Sequence, residues 1–200
     1  MRVITWSTIA ASTLLGVPLG YNRSYHKGPT FAPPLVMKAI WNDSTNSTTE
    51  EGDHSISYSI VRVVSDKFRG PINILHIDAH PDLSENFNDN YYSHALPFAR
   101  IMEGKYANRL VRTLDIGEGL KGVYVSINVD SLDPDFAPGV PHIEFGGLSF
   151  RYILNILQNL KGSIICGDVV EFNPLRGVSN RMTALLIAKL VRELAAKMSK

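Results

Sequence analysis

Three apolar runs of strand length each end on an acidic residue, and this repeat narrows the choice of fold more than any other feature. Ile72–Ile77 runs into Asp78, Val123–Val129 into Asp130, and Ile164–Val170 into Glu171. Runs that are apolar at nearly every position, rather than at alternate ones, read as strands buried on both faces. Helical spacing lies between them. Ile56, Ile60, Val63 and Val64 predict a helix that begins just after Asp53-His54-Ser55. Further helices are expected over 93–102, over 106–111, and over 150–160 behind a Ser149 cap. A last one over 183–197 turns Leu186, Leu190, Val191, Leu194 and Met198 inward. Strands alternating with helices define an α/β chain with a mostly parallel sheet and helices on both faces. The chemistry of such sheets gathers beyond the carboxyl ends of the strands, where these three acids converge.

Two hundred residues suffice for one α/β domain, taken here as 1–200, with 53–200 carrying every motif below. Ahead of them, residues 13–20 read as a first strand, 21–34 as loop, 35–41 as a short helix and 42–52 as a polar loop. Val3–Leu19 follows Arg2 like a leader. Thr5, Ser7, Thr8, Ser12, Thr13 and Pro18 make it too polar and too broken to span a membrane, so secretion is not expected. The N-x-[ST] matches at Asn22, Asn42 and Asn46 then carry no weight. A net charge of +1 with scattered basic residues argues against nucleic acid and against an anionic membrane as partner. Cys166 is the only cysteine, so there is no internal disulfide. It lies in the apolar run Ile164-Ile165-Cys166 and reads as a small core residue in a reducing compartment or the mitochondrial matrix.

The sharpest motif is Asp78-Ala79-His80-Pro81-Asp82, three ligand-type side chains at alternate positions just past a buried strand. Carboxylates with an imidazole suit manganese, and the lack of a thiolate argues against a structural zinc. The plainer alternative is a turn, with Asp78 as a cap and His80 exposed. A second block, Ser126-Ile127-Asn128-Val129-Asp130, continues through Leu132-Asp133-Pro134 and Ala137-Pro138-Gly139 to Gly147. Among the other histidines, His76 is expected to be packed or hydrogen-bonded in the core, His142 structural or at the surface, and His26 in a polar loop.

Together with Asp53-His54-Ser55, these blocks resemble the signatures of the ureohydrolase family, which contains arginases and agmatinases. Ser93-His94-Ala95, Phe98–Gly104 and Ala188–Lys197 make the wording most similar to plant arginases. The resemblance implies an arginase-like parallel sheet and two Mn²⁺ ions sharing a bridging hydroxide. One ion would be held by His54, Asp78, Asp82 and the position of Asn128, the other by Asp78, His80, the position of Asn128 and Asp130. It also implies that Asp82 orients the hydroxide, that His94 shuttles protons and that Glu171 faces the guanidinium. The expected activity is hydrolysis of L-arginine to L-ornithine and urea, with agmatine as the competing substrate. A homo-oligomer in mitochondria, or alternatively in the cytoplasm, is expected on the same ground.

The chain departs from that family in ways that bear on function. Asn128 stands where the family has an Asp that bridges both metals, so a negative charge and a second ligand oxygen are lost. Near Glu51 the text jumps straight to the Asp-His-Ser motif, and around Arg112-Thr113-Leu114 a strand–helix piece is missing. The expected sheet is therefore incomplete, and a catalytically impaired or dead homologue, acting as an oligomer partner or without function, is the competing reading. Phe145 in place of Pro, and Asn180-Arg181 in place of Asp-Gly, read as minor changes.

Overall fold

A computed structural model describes residues 53–85, 89–111, 122–176 and 181–199 in full, and 4–5 and 15–16 as backbone. The expected helix over 35–41, the loop over 42–52 and the three Asn sequons lie outside the described residues. Two short strands, β1 (Ile4–Thr5) and β2 (Leu15–Gly16), pair antiparallel with each other. Of the expected first strand over 13–20 the described residues are Leu15–Gly16, and their ladder with Ile4–Thr5 is separate from the four-stranded sheet. Then come α1 (Ile56–Phe68), β3 (Ile72–Ile77), α2 (Pro97–Glu103) and β4 (Ala107–Val111). The chain continues with β5 (Val123–Asn128), a 3₁₀ turn (Val129–Ser131), α3 (Phe150–Asn159), β6 (Ile164–Val170) and α4 (Met182–Met198).

Four strands form one parallel sheet in the order β4-β3-β5-β6. β5 is buried along its whole length, which explains why its sequence shows no apolar–polar alternation. One face carries Leu75, Ile77, Val125 and Ile127 against Ile153 and Leu157 of α3 and Ile187, Leu190 and Leu194 of α4. The other carries Ile72, Ile74 and Tyr124 against Val61 of α1 and Phe98 and Ile101 of α2. Each fully buried side chain of this size contributes roughly 1.5–3 kcal/mol. Among the described residues no helix is long and apolar enough to cross a membrane.

Order and direction of the strands place the crevice. From β3 the chain leaves toward β4 on one side, and from β5 it leaves toward β6 on the other. The two connections part between the carboxyl ends of β3 and β5, which is where open α/β sheets bind ligands. Asp78 directly follows β3, Asn128 ends β5, and Asp130 sits in the turn beyond it.

Two local expectations are corrected. Residues 106–111, expected as helix, contain the edge strand β4, because Ala107–Val111 finds a parallel ladder on Ile72–Leu75 that outweighs local propensity. Val63, expected to face inward, is 65% exposed; Ile56, Ser57, Val61 and Ser65 are the buried residues of α1. Within that stripe Ser57 donates to Asp168 and Ser65 to the Gly70 carbonyl. Ser149 does cap α3, accepting the Tyr152 N–H on Oγ at 3.2 Å.

Candidate metal centre

The centre is assembled by a row of polar residues across the sheet. Parallel register sets His76 of β3 beside Ser126 of β5, and Ser126 beside Asp168 of β6. The Asp168 carboxylate accepts the hydroxyls of Ser57 at 2.6 Å and Ser126 at 2.7 Å, together with that of Tyr124. Since the Ser126 hydroxyl is donated to Asp168, its lone pair is left for His54, whose Nε2 lies 2.9 Å away. His54 is thereby protonated on Nε2, and Nδ1 is turned toward the acids. The backbone N–H of His54 donates to Glu171 Oε1 at 2.8 Å. Glu171 can fold back onto it because its backbone is left-handed, φ 72°, at the end of β6.

His54, completely buried, presents Nδ1 at 2.7 Å from Asp82 Oδ2 and 3.1 Å from Asp78 Oδ2. Burial works against its positive charge, but the two carboxylates outweigh burial and hold the imidazole pKa well above its usual value. His76 packs on the Phe98 ring at 3.9 Å and meets Asp78 Oδ2 through Nε2 at 2.9 Å; burial lowers its pKa. It is the hydrogen-bonded core histidine expected, placed against the centre. Asp78 Oδ1 accepts the His80 backbone N–H at 2.6 Å. Burial would raise the Asp78 pKa, yet hydrogen bonds from His54, His76 and His80 drive it far below the usual carboxylate range.

On the open side, His80 Nδ1 lies 3.3 Å from Asp130 Oδ2 and 3.7 Å from Asp78 Oδ1, with the ring about a third exposed. Asp130 and Asp78 raise its pKa to about 11. Burial raises the Asp130 carboxyl to about 6, with His80 pulling the other way. Asn128 joins the two sides: its Oδ1 accepts the Asp130 N–H at 3.1 Å and its Nδ2 donates to Asp78 Oδ2 at 3.0 Å. His94 is half-buried, with Nδ1 3.2 Å from Ser93 Oγ and its ring parallel to that of His142 at 6.0 Å. The His142 ring in turn stands edge-on to His80 at 6.1 Å. His142 is exposed, as expected of a loop residue.

His54, Asp78, His80, Asp82, Asn128, Asp130 and Glu171 therefore lie together at one end of the sheet, and the His142 ring stands between His80 and His94; His26 lies outside the described residues. Among the described residues, groups able to hold a cation are His54, His76 and Asp78, and Asp78, His80 and Asp130. The second set fits a divalent ion. It offers two carboxylates and an imidazole without a thiolate, and Asp130 Oδ1 is buried with no hydrogen-bond partner. The first half fits less well, because an amide N–H occupies Asp78 Oδ2. Sequence reasoning passed over Asp168 and assigned Ser126 no role. Their signal lay in register, since a hydroxyl and a carboxylate side by side on neighbouring buried strands need one another.

Sheet order, acidic strand ends and an Asp/His cluster at the switch point define an α/β fold of ureohydrolase type with a candidate metal centre. The chain belongs to the arginase family, whose model matches residues 37–118 and 107–196. It is similar to a mitochondrial arginase of Medicago truncatula, with 47% identity over 280 aligned positions covering 96% of this chain and 83% of the relative. Arginase 1, mitochondrial, of Oryza sativa subsp. indica is 44% identical, covering 96% and 82%. The solved arginase from Medicago truncatula superposes with a TM-score of 0.82 at 45% identity, covering 92% of this chain and 86% of that one. An alignment of 280 positions exceeds the 200 residues present, so pieces of the relative have no counterpart here. The two family matches meet at 107–118, the place where the sequence reads as a junction.

Proposed function

We propose that this chain hydrolyses the guanidino group of L-arginine to L-ornithine and urea in a manganese-dependent reaction. The observation that carries this reading is the convergence of His54, Asp78, His80, Asp82, Asn128 and Asp130 at the switch point of a sheet belonging to the arginase family. A divalent cation at such a centre supplies Lewis-acid polarisation and a water of lowered pKa. In this reading Asp78, His80 and Asp130 hold the cation. Asp82 orients the attacking water, and Glu171 offers negative charge to the guanidinium. Attack at the guanidinium carbon and cleavage of its bond to the δ-nitrogen give urea and the ornithine amine. His94 at the mouth hands that amine its proton. Mitochondrial placement and a homo-oligomer belong to the same proposal, supported for the compartment by the names of the two plant relatives.

One observation favours a second reading, a homologue with impaired turnover. Asn128 aims an N–H at Asp78 Oδ2, where the resemblance implies a bridging carboxylate. Urea release by purified protein, with arginine and with agmatine, with and without added Mn²⁺, separates the readings. Mn²⁺-dependent urea from arginine is the expected result. Urea only from agmatine would reassign the substrate, and none from either would leave the impaired homologue.

A further inference from the structure

We infer that this centre binds one divalent cation per chain, held by Asp78, His80 and Asp130, and that the Asn128 amide closes the His54 half against a second. The inference deepens the hydrolase reading by naming which half of the centre is loaded.

A carboxylate offers lone pairs from both oxygens, whereas an amide offers one oxygen and an NH₂ group that only donates. The orientation of Asn128 is settled by its neighbours. The backbone N–H of Asp130 needs an acceptor and takes Oδ1 at 3.1 Å, so Nδ2 must face Asp78, where it donates to Oδ2 at 3.0 Å. That same oxygen already meets His76 Nε2 at 2.9 Å. It is also the Asp78 oxygen 3.1 Å from His54 Nδ1, the one a cation on the His54 side would require. Two N–H donors therefore converge on the atom that would have to ligate, and the Asn128 oxygen is committed to the backbone.

The His80 half is arranged differently. Asp78 Oδ1 faces His80, Asp130 Oδ2 lies 3.3 Å from His80 Nδ1, and Asp130 Oδ1 is buried with no hydrogen-bond partner among the described residues. Charge agrees with geometry. Asp78 and Asp130 together balance one divalent ion, while on the other side Asp82 is the carboxylate that faces His54 Nδ1 without an Asn128 N–H between them. His80, about a third exposed, gives an ion a path from solvent.

The test uses Mn²⁺ alone with the full chain. Metal analysis after equilibrium dialysis counts bound ions, and electron paramagnetic resonance distinguishes an isolated Mn²⁺ from an exchange-coupled pair. One ion per chain with an uncoupled spectrum is expected. His80→Ala, a half-open position whose loss leaves the core intact, should weaken binding about tenfold or more. Asp82→Asn, which keeps the shape on the His54 side, should change it by less than about threefold. Asn128→Asp should admit a second ion and produce the coupled spectrum. Two ions in the unaltered chain, no ion, or a larger loss from Asp82→Asn than from His80→Ala would each overturn the inference. The count and the spectrum need no variant, so the question stays open to refutation if a variant misfolds. Urea release judges the other reading separately: one ion without urea removes the hydrolase activity alone, and two ions with urea remove this inference alone.

Discussion

At the scale of single residues, Asp168 organises the floor of the centre although it touches no candidate ligand directly. It accepts hydroxyls from Ser57, Tyr124 and Ser126, and through Ser126 it anchors Nε2 of His54 and so turns Nδ1 toward the acids. Removing the carboxylate strands three buried donors at once, whereas Tyr124→Phe removes one donor and leaves the acceptor satisfied by two others. Asp168→Ala should therefore cost about 3 kcal/mol or more and Tyr124→Phe about 1–2 kcal/mol, read from urea-denaturation midpoints. Equal costs would mean that the hydroxyls find other partners. The neighbouring thiol gives a pH-dependent check. Burial first, and then the charge of Asp168, push Cys166 up to about 11, so the folded chain holds little thiolate at pH 8. Alkylation at pH 8 should run about a hundredfold slower than in denaturant, rising with pH toward 11; a rate equal to that of a free thiol would contradict the packing. Asp78, Asp130 and Glu171 were legible in the sequence because each follows an apolar run, where a charge has to leave the sheet. Asp168 was not, because it lies inside such a run and acquires meaning only when β6 is registered against β5.

At the scale of elements, β3, β5 and β6 were legible to within a residue, and β4 was not. Ile72–Ile77 and Ile164–Val170 match their apolar runs because both faces of each must be covered. Ala107–Val111 exposes Asn108 and Arg109 at the edge, so its composition shows no strand signal and only the ladder with β3 decides. The Asn180-Arg181 departure also looks different at this scale. Arg181 precedes α4 with φ 56° and makes no side-chain cap, a left-handed position that favours the glycine of the family's Asp-Gly pair. Arg181→Gly should stabilise the chain by about 1 kcal/mol, seen as a rise of roughly 2–4 °C in the thermal midpoint. No gain would mean that Arg181 makes a compensating contact on the surface.

For the whole molecule, the four strands among the described residues raise the question of what covers the margins of their sheet. The relatives' alignment runs beyond the length of this chain, and the described sheet holds four strands with β4 and β6 at its edges. Edge strands present unpaired backbone groups to any neighbouring chain. β4 carries some protection, since Asn108 and Arg109 are exposed along it. Apolar surface remains elsewhere: Val63 is 65% exposed, Phe68 54% and Leu175 71%. Val63 and Phe68 lie on α1, the helix that covers the site face of the sheet, so association through α1 would bury both without disturbing the centre. The chain is expected to associate in solution, with a light-scattering mass above that of the 22.1 kDa monomer and rising with concentration. Val63→Lys combined with Phe68→Lys should lower that mass while leaving the circular dichroism unchanged, since neither side chain belongs to a buried cluster. A monodisperse monomer with a cooperative transition near 45–65 °C, roughly the range of mesophilic domains, would refute the expectation. So would association that the double Lys variant leaves untouched, because the contact would then run along β4 or β6 and not along α1.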